Sequence, residues 1–530
     1  MSRAAKPLGP FAPAGAPARW QRALASACLV IFLAAFGSIF AVAALRGRLG
    51  VSANSAALFV LLAGGFFCLA RFGLPRLSSL SPRAWAAVFW GGLGLLLALQ
   101  LGSGFLLLND HTTAPFDTEA VYRTATQLAA GQVPAEYNDY FVSCESNTLC
   151  MFVLYWLYRL VFLLGGALSP VWGMLLNTAL LWLAALFTCK AALLLWGRAG
   201  GGAALALCLL FLPLYIFTPF LYTDPMAAPL VAASLYCFVR LRRRWAFLSP
   251  KGRLVRAAGL GALLGLAFLM KGNALVLVPA LGLWCLFSLP LKGRGRQALG
   301  LVLAVALAAG LVIGGFKAYV RGCGLIDFSG YDALHMPLTH WIMMGLEHDG
   351  AYNSESFVYS GSYPTVAEKK AAIAARIGTN LQALAKNPVA LAWLMYTKAG
   401  TDWADGLYGS PGAAAFAPVR ATWLSEWFTS TGAHAGVTGS FGQAFHWLLW
   451  LCGFGLVLRA LRQKKPSGFA LAAALCLLGN LAFLSLWEAN ARYAFCFFSC
   501  LVLLAAGFLS GGRAGQDINN EQEVTPLGKR

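Results

Sequence analysis

Charged residues are scarce in this chain. Asp, Glu, Lys and Arg together make up only 11% of its 530 residues, and 59% of the residues are hydrophobic. A soluble domain is typically about one quarter charged and about half apolar. The shortage of charge therefore excludes an ordinary soluble domain, and the repeated long apolar runs predict an all-α polytopic membrane protein.

Motifs typical of several soluble functions are absent as well. The sequence has no glycine-rich P-loop or dinucleotide motif, which excludes the common soluble nucleotide sites. It has no C-x-x-C metal motif and no internal repeat of fixed period. The net charge of +20 would suggest nucleic acid as the partner of a soluble protein. Here the basic residues form short clusters between apolar runs, the positive-inside pattern of membrane proteins, so nucleic acid is not an expected partner.

The apolar runs and the basic clusters together predict a topology. Twelve runs have about the length of a span: 23–45, 54–70, 84–108, 171–196, 201–222, 225–239, 255–270, 273–290, 298–318, 441–458, 467–487 and 493–511. The clusters that we place in the cytoplasm, with both termini, are Arg71, Arg76 and Arg83; Arg198; Arg240, Arg242, Arg243 and Arg244; Lys292, Arg294 and Arg296; and Arg459, Arg462, Lys464 and Lys465. This requires the run 149–168, which Arg159 interrupts, to be an interfacial or re-entrant helix on the outer side. The pair Arg46 and Arg48 then lies outside, as the one exception.

The same patterns divide the chain into regions. The regions are 1–83 with two additional spans, 84–320 as a membrane core with its first outer loop at 109–170, 321–440 as an outer-face segment with amphipathic helices, 441–512 with the last spans, and 513–530 as a polar cytoplasmic tail. In the first outer loop, residues 117–130 are predicted to form an amphipathic helix that buries Val121, Ala125 and Leu128 on one side.

Helix signals also occur in the outer segment. Thr365-x-x-Glu368 is a capping box that opens a helix running to about Ala385, and Asn387–Pro388 ends it. Residues 388–400 are apolar enough to lie on the membrane.

Three carboxylates are candidates for chemistry. Asp117 is either the N-cap of helix 117–130 or a general base or metal ligand at the membrane surface, and Glu119 is a first-turn acid or a partner in the same chemistry. Asp224, in YTDPMAAP, stands between two apolar runs, where an Asp is costly. It is either the N-cap before Pro225 or a second external carboxylate that faces Asp117.

Two cations have a similar double interpretation. Lys271, in FLMKGNALVL, is flanked by apolar residues and either extends to the interface or binds a phosphate near the bilayer surface. Arg492, in WEANARYAF, either forms an i,i+4 pair with Glu488 or binds phosphate.

The remaining metal and disulfide candidates are weaker. A group of histidines with one aspartate matches no common zinc spacing, so a metal site is not expected there: His335, His340, His348 and Asp349. Cys144 and Cys150 lie in a polar stretch and could form a disulfide, whereas most of the thirteen cysteines lie in apolar runs as small hydrophobic residues.

Four segments resemble GT-C type glycosyltransferases, especially the protein-mannosyltransferase-like glycosyltransferase family 39. They are FDTEAVYRTATQLAAG, YTDPMAAPLVAASLYCF, GALLGLAFLMKGNALVLVPA and WEANARYAF. Their order and their common placement on the outer side carry the resemblance, which covers about residues 84–300 and 470–512.

This resemblance implies a fold and a reaction. The fold would be a GT-C-like bundle of about 12 transmembrane helices with helical outer-face loops. The enzyme would move a sugar, with inversion, from a polyprenyl-phosphate donor to an envelope glycan, lipid or protein. Asp117 would take the acceptor's proton, Asp224 would orient the acceptor or share a metal, and Lys271 and Arg492 would bind the donor phosphate.

The sequence departs from the family pattern in two places. Thr118 separates Asp117 from Glu119, where the family has adjacent acids. The family's His/Lys-Pro-Pro motif is replaced by YFVSCESNTLCMF, so Asn147 or Arg159 would have to supply its contact. Glu119 and Glu488 are further secondary candidates, and a divalent metal requirement cannot be read from these residues.

Two other functions remain open from the sequence. A transporter or flippase of lipid-linked sugars would need many spans and buried charges, and it would show inverted repeats. A non-catalytic cell-envelope assembly protein would tolerate loss of Asp117 and Asp224. The composition, rich in Ala, Gly and Leu, and the lack of a retrieval signal predict a multi-pass protein of a bacterial plasma membrane with its active site on the outer face.

Overall fold

The computed structural model describes residues 17–45, 53–111, 117–133, 135–288, 295–416, 418–466 and 468–511. Within these ranges the chain is helical, and the β-pairing there is limited to one isolated antiparallel bridge between Asn109 and Pro418. The expectations for the tail 513–530, for Arg46 and Arg48, and for Lys292 and Arg294 fall outside the described residues.

The α-helices follow one another with short connections. The first half of the chain contains α1 (Arg19–Leu45), α2 (Ala53–Cys68), α3 (Leu74–Ser79), α4 (Pro82–Leu106), α5 (Asp117–Ala129), α6 (Ala135–Ser143), α7 (Thr148–Leu163), α8 (Pro170–Leu210), α9 (Pro213–Ile216), α10 (Thr223–Arg244) and α11 (Pro250–Met270). The second half contains α12 (Leu277–Ser288), α13 (Gly295–Gly322), α14 (Tyr331–Leu334), α15 (Thr339–Gly345), α16 (Ser354–Gly361), α17 (Val366–Lys386), α18 (Pro388–Trp403), α19 (Ser410–Ala414), α20 (Ser425–Phe428), α21 (Ala435–Arg462), α22 (Phe469–Leu486) and α23 (Phe498–Leu509). Shorter 3-10 or π turns lie at Leu69–Gly73, Glu145–Asn147, Trp245–Phe247, Gly272–Val276 and Ala491–Phe497.

Several helices begin at a polar residue followed by proline. Ser81, Ser169 and Ser249 each precede such a proline, and each side chain accepts a hydrogen bond from a backbone N–H of the first turn. Proline is favourable there because the first helical N–H groups have no partner within the helix. The capping box is confirmed: the Thr365 hydroxyl accepts from the Glu368 N–H at 3.2 Å, and α17 ends at Lys386.

Ten helical segments among the described residues are long and apolar enough to cross a membrane. The twelve predicted runs differ from these ten for local reasons. Runs 171–196 and 201–222 merge into α8, α10 ends in three arginines that lower its hydropathy, and run 273–290 is short. The segment Glu145–Leu163 is one of the ten, so its interfacial or re-entrant position stays a prediction.

Helix α8 reverses direction at its middle. Trp196 has φ −130° and Gly197 has φ +66°, a left-handed conformation that glycine adopts without strain. A Cβ atom placed on Gly201 would lie 3.2 Å from the Leu193 side chain, so the two halves of α8 lie side by side. Two separate runs were correctly predicted here. The second run is helical only to Leu210, because Pro213 restarts the chain in the short helix α9.

The membrane helices pack around α8, α10 and α23. Helix α8 contacts α4, α10 and α23, and α10 contacts α11. Helix α13 approaches α11 closely because Gly261 and Gly265 leave room for its backbone. A Cβ at Gly261 would collide with the Val305 carbonyl, and one at Gly265 would lie 3.0 Å from the Ala309 carbonyl oxygen. Small residues at this spacing let membrane helices approach one another.

The two ends of this bundle differ in charge. Helix α10 ends in Arg242, Arg243 and Arg244, and the guanidinium of Arg459 near the end of α21 lies 4.8 Å from the ring of Phe508 near the end of α23. We call this the arginine end. At the opposite end, α4, α11 and α22 end and α10 and α23 begin. We call that the site end.

The helix predicted from residue 117 is confirmed as α5. Val121 and Ala125 are fully buried, and Leu128 is nearly so. The disulfide is not present: Cys144 and Cys150 both have free thiols, and the Cys150 sulfur lies 3.7 Å from the sulfur of Met226. Burial raises the pKa of the Cys144 thiol to about 12.

Candidate functional site

Five charged side chains predicted from the sequence approach one another at the site end. Asp117 and Asp224 lie in the first turns of α5 and α10, and Lys271 is the residue after α11. Glu488 lies in the loop after α22, and Arg492 in the turn before α23. The chain therefore builds one polar cluster from four widely separated segments, at the boundary between apolar helices and polar loops.

Asp224 and Lys271 form a buried ion pair. The Lys271 ammonium lies 2.6 Å from Asp224 Oδ1, and the two side chains are 15% and 1% exposed, respectively. The predicted N-cap role of Asp224 is wrong: α10 begins at Thr223, and Asp224 lies within its first turn and points at Lys271. The Lys271 ammonium, just after α11, binds this carboxylate in place of the backbone N–H groups of the first turn. A charge-assisted contact away from water is the stronger interaction.

Asp117 is held by two tyrosines. The Tyr222 hydroxyl donates to Asp117 Oδ2 at 2.5 Å. The Tyr140 hydroxyl also faces Asp117, and burial together with that negative charge raises the pKa of Tyr140 well above its ordinary value, which keeps the phenol protonated. The Asn147 amide donates to the Tyr140 oxygen at 2.5 Å, so Asn147 reaches the site through Tyr140. Asp117 is the first residue of α5 and not the residue preceding it, as an N-cap would be.

Aromatic rings line the two cations. The Lys271 ammonium lies 3.9 Å from the ring centre of Tyr493, and the Arg492 guanidinium lies 5.4 Å and 5.5 Å from the rings of Phe220 and Tyr222. Such stacking stabilises a cation without neutralising it. Sequence reasoning missed these aromatic residues, although Tyr222 and Tyr493 are close neighbours of Asp224 and Arg492 in the chain.

Arg492 does not form the expected helical pair with Glu488. Residues 487–490 are not helical, and Arg492 Nε donates to Asn490 Oδ1 at 3.3 Å. Among the ion pairs of the described residues, none includes Arg492. Its guanidinium is therefore the cation in this cluster that no carboxylate neutralises by direct contact.

Glu488 is a second carboxylate beside Asp117. It is 4% exposed. Burial raises the pKa of its carboxyl to about 7, although the positive charges of Lys271 and Arg492 oppose that shift, and the charge of Asp117 adds to it. Near neutral pH this group is therefore partly protonated and partly ionised.

The other secondary candidates make contacts elsewhere. Glu119 pairs with Arg123 one turn along α5, at 2.9 Å. Arg159 donates to the carbonyl oxygen of Ala129 at 2.8 Å and so caps the end of α5. His340 is buried against the Ser360 hydroxyl. No group of three His, Cys, Asp or Glu side chains close enough to hold a metal ion occurs in the part of the chain that the structure describes.

Comparison with known proteins gives a family. The pattern of a family described as "Conserved hypothetical integral membrane protein" matches residues 46–511. The chain belongs to this family. No curated protein matches it. Among solved structures, ArnT from Cupriavidus metallidurans bound to undecaprenyl phosphate is similar, with 14% sequence identity, a TM-score of 0.34, and coverage of 81% of this chain and 78% of that chain.

In this member of the integral membrane family, Glu488 couples stability to pH. An unfolded glutamate titrates at about 4.3, whereas Glu488 in the fold titrates at about 7. The folded state holds its proton more tightly, so the stabilisation is fully present below about pH 4.3 and is lost as the pH rises through about 7. We expect Glu488→Gln to remove this part of the pH dependence, on the order of 3 kcal/mol.

Thermal unfolding in lipid nanodiscs, compared from about pH 5 to about pH 8, measures this effect. Glu355→Gln is the matched control, because Glu355 is 78% exposed and is expected to leave the slope unchanged. An identical slope in the wild type and in Glu488→Gln would show that Glu488 is not buried as described.

Proposed function

We propose that this protein is an inverting glycosyltransferase that moves a sugar from a polyprenyl-phosphate donor to an acceptor at the outer face of a bacterial plasma membrane. The observation that carries the proposal is the cluster itself. Two carboxylates, Asp117 and Glu488, lie beside an unneutralised guanidinium and an ion pair, where apolar helices meet polar loops. A reaction between a lipid-linked phosphate and a polar acceptor needs a base, a phosphate ligand and that boundary in one place.

Asp117 is the general base in this proposal. Its carboxylate would take the proton of the acceptor hydroxyl while the acceptor oxygen attacks the anomeric carbon from the face opposite the phosphate. The bond from that carbon to the phosphate oxygen breaks, and the electron pair leaves on the phosphate, so the anomeric centre inverts. The hydroxyls of Tyr222, which donates to Oδ2, and of Tyr140 hold the carboxylate in place, and the ionised carboxylate keeps further lone pairs that can accept the proton.

Arg492 is the main ligand of the donor phosphate. Lys271 is already paired with Asp224, whereas Arg492 forms no ion pair among the described residues and contacts Asn490 and two aromatic rings. A guanidinium also presents two parallel N–H groups that match phosphate oxygens. Lys271 and Asp224 then act as a pair: the ammonium adds positive potential near the leaving phosphate, and Asp224 fixes where it lies.

The surrounding helices fit a lipid donor and a polar acceptor. The polyprenyl chain would lie in the bilayer beside the apolar helices, while residues 321–440 would hold an envelope glycan, lipid or protein as the acceptor. The outer-face assignment is supported by the basic residues, because the arginine end lies opposite the site and basic clusters favour the cytoplasm.

Arg492→Gln is expected to weaken the binding of undecaprenyl phosphate by at least about tenfold, since a lost hydrogen bond to a charged group is worth about 1.5–3 kcal/mol. Binding is measured on the purified protein in nanodiscs with radiolabelled undecaprenyl phosphate. The matched control is Arg123→Gln, which removes a guanidinium that pairs with Glu119 on α5.

The binding experiment also tests the function. Wild-type protein that neither binds undecaprenyl phosphate nor transfers sugar from a polyprenyl-phosphate donor would contradict the proposal. Equal affinities in Arg492→Gln and in the wild type would remove Arg492 from the donor site.

A further inference from the structure

Two buried ionisable side chains in the outer segment are not explained by the cluster described above. Lys398 and Asp402 lie one turn apart on α18, and each is 1% exposed. Burying a charge is costly unless it is paired or hydrogen-bonded. In the described part of the chain no ion pair joins the two. Each instead binds backbone atoms of the loop that carries Glu488.

Lys398 connects two loops. Its ammonium donates to the carbonyl oxygen of Trp487 at 2.7 Å and to that of Gly345 at 2.6 Å. Burial lowers the pKa of Lys398 to about 8, and the charges of Asp402 and Glu488 oppose that shift, so it remains largely protonated at neutral pH. The same ammonium therefore anchors the residue before Glu488.

Asp402 anchors the residue two positions further along. Its Oδ1 accepts from the N–H of Asn490 at 2.8 Å. Asn490 in turn accepts from Arg492 Nε through its side chain, at 3.3 Å. The N–H of Ala489 donates to the carbonyl oxygen of Gly350 at 2.7 Å. Three successive attachments therefore fix residues 487–490 on both sides of Glu488.

The close contacts leave little freedom at these attachments. A Cβ on Gly350 would lie 2.6 Å from Cδ of Lys398, and one on Gly345 would lie 2.6 Å from the Trp487 carbonyl carbon. Gly350 also has φ +80°, which a residue with a side chain rarely adopts. The loop 345–350 and the loop 487–490 are thus packed backbone to backbone around the Lys398 side chain.

We propose that Lys398 and Asp402 are positioning residues that fix the backbone of residues 487–490 and so set where the Glu488 carboxylate and the Arg492 guanidinium stand relative to Asp117. The long outer segment then forms part of the frame of the site. The link to catalysis rests on the function proposed above, whereas the attachment itself can be measured without it.

The test is hydrogen–deuterium exchange of the full-length protein in nanodiscs, read on peptides that cover residues 487–492. Lys398→Met keeps the packed stem and removes the ammonium, and Asp402→Leu removes the acceptor oxygen. Both are expected to speed exchange in these peptides by about tenfold, since each leaves a buried backbone group of residues 487–490 without its hydrogen bond, while α5 and α10 keep their wild-type protection. Asp402→Asn keeps an acceptor oxygen and is expected to restore slow exchange.

A matched control is available in the same segment. Lys369 on α17 is also fully buried and also donates to two carbonyl oxygens, those of Ala333 and His335. Lys369→Met is expected to change exchange near residues 333–336 and to leave residues 487–492 unchanged. Faster exchange throughout the protein in Lys398→Met, Asp402→Leu and Lys369→Met would overturn the proposal. The three side chains would then stabilise the protein as a whole and not residues 487–490 in particular.

Affinity for undecaprenyl phosphate and kcat/KM for sugar transfer give the functional readout. Displacing reacting groups by about 1 Å can cost about 100-fold in rate, so kcat is expected to fall in Lys398→Met and Asp402→Leu, with thermal stability still measurable. If neither Lys398→Met nor Asp402→Leu folds, exchange at residues 487–492 is measured in Lys398→Arg instead, and the same outcomes apply. Unchanged exchange at 487–492 in a folded variant overturns the proposal even if the wild type is active. Faster local exchange in a protein that never transfers sugar upholds the attachment and contradicts the function alone.

Discussion

Asp117→Asn is expected to lower sugar transfer by about 1,000-fold, within the range by which a positioned general base accelerates a reaction. The amide cannot accept the acceptor's proton. It keeps the shape of the side chain and an oxygen to which the Tyr222 hydroxyl donates, so the protein is expected to remain folded and inserted. Transfer from a polyprenyl-phosphate sugar to the acceptor, measured beside the unfolding temperature in nanodiscs, checks both statements.

Glu119→Gln is the matched control for this experiment. It removes a carboxylate two residues further along the same helix, and that carboxylate pairs with Arg123. Near-normal transfer is expected, because a solvent-accessible i,i+4 pair contributes only about 0.3–0.5 kcal/mol to stability. Near-normal turnover in Asp117→Asn, or an equal loss in Glu119→Gln, would remove Asp117 from the role of the base.

Asp224→Ala is expected to lower the free energy of unfolding by about 3–5 kcal/mol, the usual cost of removing one partner from a buried ion pair. The loss arises because Lys271, which is 15% exposed, would keep its charge without the carboxylate that contacts it, beside aromatic rings and the Thr223 hydroxyl. Lys271→Met combined with Asp224→Leu is expected to recover most of that stability, because it removes both charges and fills the space with apolar groups.

The double variant separates stability from function. It is expected to regain most of the wild-type stability and to transfer sugar poorly, because the positive potential near the leaving phosphate is lost. Denaturant unfolding and transfer assays on the single and double variants measure the two properties independently. A double variant that is both stable and fully active would show that the ion pair serves only the fold.

The helices were largely predictable because apolar periodicity and proline positions are local signals. The capping box at Thr365, the helix of Asp117 and the separate runs on either side of Gly197 all follow from residues within about one turn of the feature. The end of the second run was not predictable in this way. After Leu210 the chain continues into the short helix α9, which packs against α4.

The carboxylates show where local signals fail. Asp224 has the local signature of an N-cap, yet its carboxylate faces Lys271, which is distant in the chain. The same limit hid Lys398 and Asp402. On an amphipathic helix a charged residue normally marks the solvated face, and only the packed loops 345–350 and 487–490 reveal that this face is covered.

The wide separation of the site residues along the chain has a consequence for synthesis. Asp224 and Lys271 are synthesised close together, at the start of α10 and just after α11, so their ion pair can form soon after α11 enters the bilayer. Neither side chain then remains as an unpaired ion in the bilayer, which would cost several kcal/mol. Glu488 and Arg492 arrive more than two hundred residues later, between the last two helices. A nascent chain released before α22 would therefore hold a stable, neutralised half-site that lacks the proposed phosphate ligand, and it would be inert toward lipid-linked sugars until translation is complete.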